Sequence, residues 1–172
     1  MALVVRFPIL QIVGFQNSGK TTVVSNMIQF ASDNGYKLGA IKHHGHGGTP
    51  DRQVETKDSG QHLQSGAMIS GVEGGGELHI TAQKATWQLD EILSLYQAMN
   101  IDGIIVEGYK KERYPKIVML REKRDLHLLD ELEDIVGVIH DQAIAKSDVP
   151  QGSFLFTEKE RYCSWFLDFL RR

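Results

Sequence analysis

Short apolar runs alternate with amphipathic stretches along this chain, and the two periodicities outline its elements. Ile9–Val13 is a compact apolar run suited to a buried strand, and Val23, Val24, Met27, Ile28 and Ala31 then recur at helical spacing. Asp33-Asn34-Gly35 supplies a helix stop, with a glycine able to take the left-handed conformation. Residues 36–42 form a second strand that runs into the loop His43-His44-Gly45-His46-Gly47-Gly48-Thr49-Pro50, whose glycines and proline exclude regular structure.

The polar segment 51–65 predicts a short helix. Residues 68–72 and 78–81 predict strands on either side of Glu73-Gly74-Gly75-Gly76, a small hairpin insertion. Leu89, Ile92, Leu93, Tyr96 and Met99 mark an amphipathic helix. The β-branched run Ile104-Ile105-Val106 closes on Glu107. Strands follow at 116–120, 135–140 and 153–156, and a last helix carries Tyr162, Trp165, Phe166, Phe169 and Leu170. Strands alternating with helices predict an α/β fold, a three-layer sandwich with a mostly parallel central sheet.

The turn between the first strand and the first helix changes the picture from fold to chemistry. Gly14-Phe15-Gln16-Asn17-Ser18-Gly19-Lys20-Thr21 matches the phosphate-binding P-loop pattern, and strand, loop and helix arrive in the order that pattern requires. Gly14 and Gly19 permit backbone turns that a side chain would block, so successive amides can point at phosphate oxygens. Lys20 supplies a charge for the terminal phosphates, and the Thr21 hydroxyl suits magnesium. Gln16, Asn17, Ser18 and Thr22 complete the candidate nucleotide-binding set. Glu107, closing a buried strand, belongs to the same site: an acid at this place in a P-loop protein faces magnesium and its waters. Glutamate is one methylene longer than the usual aspartate, which suits contact through water.

Other candidates are thinner. His43, His44 and His46 are imidazoles in one loop, yet adjacent residues on extended backbone point to opposite sides, which weighs against a tight metal site. Glu122-Lys123-Arg124-Asp125 resembles the guanine-reading Asn-Lys-x-Asp only in part, with Glu in place of Asn, and a charged surface loop explains it equally. No serine or cysteine nucleophile can be argued.

Composition adds limits. The 172 residues suit one core, so a single P-loop nucleotide-binding domain over residues 1–172 is expected. Apolar and charged fractions of 41% and 24% are those of an ordinary globular protein. No run approaches the roughly 18 apolar residues of a membrane span. The one cysteine, Cys163, fits core packing in a reducing compartment, so a cytoplasmic location is expected. A net charge of −3 gives no general attraction to nucleic acid or to an anionic membrane.

The ordered set of motifs resembles the MobB family, the molybdopterin-guanine dinucleotide biosynthesis protein B family, over nearly the whole chain. The resemblance rests on Gly14-Phe15-Gln16-Asn17-Ser18-Gly19-Lys20-Thr21-Thr22, Ile41-Lys42-His43-His44-Gly45-His46, Thr56-Lys57-Asp58-Ser59 with Ser65-Gly66-Ala67, and Val106-Glu107-Gly108-Tyr109-Lys110. Where the family commonly has Gly-Lys-Asp-Ser, this chain has Thr56 in the glycine position. The resemblance implies a homodimeric GTP-binding protein with weak GTPase activity. It implies assistance to a MobA-type transferase that joins GMP to molybdopterin, with GTP and Mg as ligands and molybdopterin as a further candidate ligand. It also raises Asp58 and His43 as nucleotide-site residues. Two other readings stay open here: a metal-delivery P-loop GTPase using the His43 to His46 loop, and a non-catalytic nucleotide-binding adaptor.

Overall fold

The computed structural model describes residues 6–44 and 57–172, with the side chains of 57–59 outside the description. The chain forms two compact units, one of residues 1–45 and 89–172 and a smaller one of residues 46–88.

The larger unit is built on a six-stranded sheet. In chain order its strands are β1 (Ile9–Val13), β2 (Leu38–Lys42), β5 (Gly103–Glu107), β6 (Lys116–Leu120), β7 (Ile135–His140) and β8 (Phe154–Leu155). In space they run β2-β5-β1-β6-β7-β8, every pair parallel. The two central strands that flank the site, β1 and β5, are buried at every position, as strands covered on both faces must be.

Alternation of side chains gives each face its own cover. Leu10, Ile12, Ile105, Ile117, Met119 and Ile139 pack against α1 (Lys20–Asp33) and α5 (Lys159–Leu170), through Val23, Val24, Met27 and Ala31 of the first helix and Tyr162, Cys163 and Phe166 of the second. On the opposite face Ile9, Ile41, Ile104 and Val106 meet Leu89 and Leu93 of α3 (Leu89–Tyr96). Val13, Val118, Leu120 and Val138 meet Leu128 of the short α4 (Leu128–Glu131). The result is the three-layer α/β sandwich the alternating pattern predicts.

In the smaller unit, α2 (Lys57–Gln64) leads into an antiparallel hairpin of β3 (Ile69–Gly74) and β4 (Glu77–Ala82), in full register from Ile69 opposite Ala82 to Gly74 opposite Glu77. Gly75 and Gly76 both take positive φ at its tip, the backbone a two-residue hairpin turn requires. The expected hairpin at 68–81 is therefore present. One stretch behaves differently from its charge pattern: Arg121 to Asp125 begins a 3₁₀ turn, Lys123–His127, that continues into α4.

Candidate functional site

The site forms at the carboxyl edge of the larger sheet, where β1 gives way to α1. Gly14 has φ 153°, and a side chain there would meet the Met119 carbonyl at 2.8 Å, so the loop lies directly on the end of β6. Asn17 (φ 60°) and Gly19 (φ 87°) take left-handed backbone, and a methyl on Gly19 would strike the Phe156 ring at 2.7 Å. The loop thus turns sharply onto the first turn of α1, where backbone amides lack intrahelical acceptors and favour an anion. Ser18 is buried, whereas Gln16, Asn17 and Thr22 are exposed on the loop and its helix.

Lys20 is half-buried and folds back over the loop. Its ammonium donates to the Gly14 carbonyl at 3.1 Å, to the Phe15 carbonyl, and to Ser18 Oγ at 3.4 Å. Burial holds its pKa below the usual lysine value, with Glu107 opposing that shift and Lys42 adding to it.

Thr21 and Glu107 face each other. The Thr21 hydroxyl lies 3.0 Å from each Glu107 carboxylate oxygen. Glu107, with its side chain 11% exposed, ends β5 beside Lys42 at the end of β2, in direct register. Lys42 Nζ is 3.2 Å from Glu107 Oε1 and 3.2 Å from Thr21 Oγ1. A hydroxyl and a carboxylate converging on one point are hard oxygen donors. They suit magnesium, which takes one or two protein oxygens and completes its shell with water and phosphate. Thr21 and Glu107 therefore fit the metal the P-loop implies.

The backbone beyond Glu107 is shaped as carefully. Gly108 (φ 99°) and Tyr109 (φ 54°) turn the chain, and a side chain on Gly108 would come within 3.0 Å of His43 Cβ. The His43 ring packs against the Tyr109 ring at a tilt of 33°, ring centroids 4.2 Å apart. Gln11, buried in β1, donates from Nε2 to the carbonyls of Tyr109 at 2.8 Å and Gly108 at 3.3 Å, so the first strand holds the turn that follows the fifth.

Loop residues 14 to 22, Glu107 and His43 thus gather at one sheet edge, His43 against the turn after Glu107. Asp58 lies in α2 with its side chain outside the described residues, and His46 and Thr56 lie outside them altogether. Among the described residues, no group of three His, Cys, Asp or Glu side chains is placed to hold a metal ion. Asp125 is buried, and its Oδ2 accepts the amides of Arg121 at 2.8 Å and Glu122 at 3.0 Å, so its carboxylate fixes the 3₁₀ turn.

Lys42 and Gln11 are the contributors that residue patterns did not single out as site residues. A glutamine inside an apolar strand was the signal for one, because a buried amide must find partners. Lys42 became visible only when β2 and β5 were paired. His140 at the end of β7, Lys146, Val149 and Ser153 of the segment leading into β8, and Glu158 and Arg161 beyond it line a cavity of about 280 Å³.

A parallel sheet with helices on both faces, and a glycine-bounded loop passing from its first strand to the positive end of a helix, define an α/β protein of the P-loop-like class. Within that class the chain belongs to the MobB family: the family model for molybdopterin guanine dinucleotide synthesis protein B matches residues 9–141. A probable molybdopterin-guanine dinucleotide biosynthesis adapter protein of Bacillus subtilis (strain 168) is 46% identical over 140 residues, 81% of this chain and 80% of that protein. The corresponding adapter protein of Escherichia coli (strain K12) is 30% identical over 146 residues, 83% of this chain and 79% of that protein. The crystal structure of Bacillus subtilis MobB superposes with a TM-score of 0.78 at 38% identity, covering 95% of this chain and 98% of that one. A MobB homolog from Bacillus stearothermophilus gives a TM-score of 0.73 at 30% identity, over 95% and 97% of the two chains.

Among the described residues, no helix is long and apolar enough to cross a membrane.

Proposed function

We propose that this chain binds GTP with magnesium on its Gly14 to Thr22 loop and acts as an adapter in molybdopterin-guanine dinucleotide biosynthesis, the role for which its curated relatives are named. The observation that carries the nucleotide part is the convergence of Lys20, Thr21 and Glu107 at one end of the sheet. In this reading the loop amides and Lys20 hold the phosphates, and Thr21 with Glu107 holds magnesium. The metal, when bound, screens phosphate charge. The cavity beside the end of β7 and the segment leading into β8 offers room for the nucleoside end.

Hydrolysis is slow in this reading. Arg121 pairs with Asp141 at 3.4 Å and Arg124 with Glu122 at 3.0 Å, and neither contacts the Thr21 and Glu107 pair where a transition-state counter-charge would be needed. The protein then holds GTP for a MobA-type transferase that joins GMP to molybdopterin. Homodimerisation belongs to the same proposal, and the exposed apolar side chains Met68, Ile69, Val72, Leu78 and Ile80 of the hairpin unit support self-association.

Calorimetry with GTP and ATP, with and without the transferase, tests the reading. Wild-type protein is expected to prefer GTP, and Lys20→Ala to abolish binding. Equal affinity for GTP and ATP, or unchanged affinity in Lys20→Ala, overturns it.

A further inference from the structure

Glu107 is a nearly enclosed carboxylate, and an enclosed charge needs a partner. That partner is Lys42, whose ammonium lies 3.2 Å from both Glu107 Oε1 and Thr21 Oγ1. These are the same two oxygens that suit the divalent metal, so a side-chain cation stands against the metal's own donors. Lys20, the other lysine of the site, is engaged elsewhere, with the Gly14 and Phe15 carbonyls and Ser18 Oγ.

We infer that Lys42 is a built-in counter-cation of the magnesium site, exchanging with the metal and coupling its entry to the terminal phosphate of a nucleoside triphosphate. The inference rests on the nucleotide reading above. Two cations cannot share one position beside Thr21 and Glu107, because like charges a few ångströms apart repel strongly. Metal entry therefore displaces the ammonium. Lys42 is free to leave: it ends β2, the edge strand, and its side chain is 60% exposed on a flexible stem. The displaced ammonium is solvated but stays beside Thr21 of the loop, where a terminal phosphate attracts it. A diphosphate lacks that group and gains less from the displaced ammonium, so with the metal it binds less well than a triphosphate. Lys42 is in this sense a specificity-determining residue, reading the third phosphate through the metal.

Lys42→Met and Lys42→Arg test the exchange, with circular dichroism to check folding. In nucleotide-free protein, Mn²⁺ binding followed by electron paramagnetic resonance is expected to tighten about tenfold in Lys42→Met, because a competing charge is gone. Lys42→Arg is expected to stay near wild type. Calorimetry with GTP and GDP in magnesium is expected to give a triphosphate preference that falls about tenfold in Lys42→Met and is retained in Lys42→Arg. Unchanged Mn²⁺ affinity, or an unchanged GTP to GDP ratio, overturns the inference while wild-type nucleotide binding stands. Wild-type protein that binds neither nucleotide overturns the nucleotide reading and this inference with it.

Discussion

Thr21 and Glu107 are 86 positions apart in the chain, yet the threonine hydroxyl lies 3.0 Å from both oxygens of the glutamate. The contact links the first turn of α1 to the end of β5, and both residues owe their places to β1, which leads into the loop and pairs with β5 from Ile9–Ile104 to Ile12–Glu107. Removing either oxygen should uncouple nucleotide affinity from metal. Thr21→Val and Glu107→Gln are expected to lose about ten- to a hundredfold of the magnesium-dependent part of GTP affinity. Titrations in magnesium and in EDTA check this: the gain in affinity on adding magnesium should shrink in both variants, with Thr21→Val resembling wild type in EDTA and Glu107→Gln, which loses a carboxylate beside the phosphates, binding no more weakly than wild type there.

Gly19 is required twice, by its left-handed backbone and by the Phe156 ring beside it. Gly19→Ala is expected to lose about 1–2 kcal/mol from backbone strain alone, with the ring clash in addition. Phe156→Ala in the same chain relieves the clash but not the strain. Urea unfolding of both single variants and the double variant should therefore give a double-variant loss smaller than the sum of the singles.

Asp125 serves the fold. Asp125→Ala strips the acceptor from the Arg121 and Glu122 amides and is expected to cost about 1–3 kcal/mol in unfolding free energy. The ratio of GTP to ATP affinity should stay as in wild type. A lost preference for GTP at retained stability would falsify this assignment and restore Asp125 as a reader of the base.

Cys163 is fully buried between α5 and the core, and burial pushes its thiol up from 9.0 to about 11. The folded protein disfavours the thiolate, so this contribution to stability is intact below pH 9 and is lost as pH rises from 9 towards 11. A disulfide-exchange reagent at pH 8 is expected to leave native Cys163 unlabelled and to modify it fully in denaturant. Comparing urea midpoints of wild type and Cys163→Ala across pH 8–11 isolates the effect. The wild-type midpoint should fall further.

Much of the fold was legible in the chain. Ile9–Val13, Ile104-Ile105-Val106 and the 116–120 run are mostly apolar because parallel strands are covered on both faces, and they became central strands, with Gln11 and Lys116 buried among them. Boundaries were softer: residues 36–42 became Leu38–Lys42, since local preference does not say where the ladder begins. The 3₁₀ turn at Lys123–His127 was hidden by its charges, and what organises it is one buried carboxylate accepting two backbone amides.

The sequence by itself marked the loop of Gly14 to Thr21 as the candidate phosphate site, because the pattern rests on consecutive residues: glycines that permit left-handed turns, a lysine and a threonine at set offsets from them. It also indicated most of the strands and the longer helices, since apolar periodicity is a local property. Only the tertiary structure decided what stands around the loop. Placing β5 between β1 and β2 sets Glu107 against Thr21 and brings Lys42 to both. Gln11 likewise reaches across from β1 to hold the turn at Gly108 and Tyr109. Strand order arises from long-range packing of the two sheet faces, and no local pattern records which edge-end lysine will meet which buried acid.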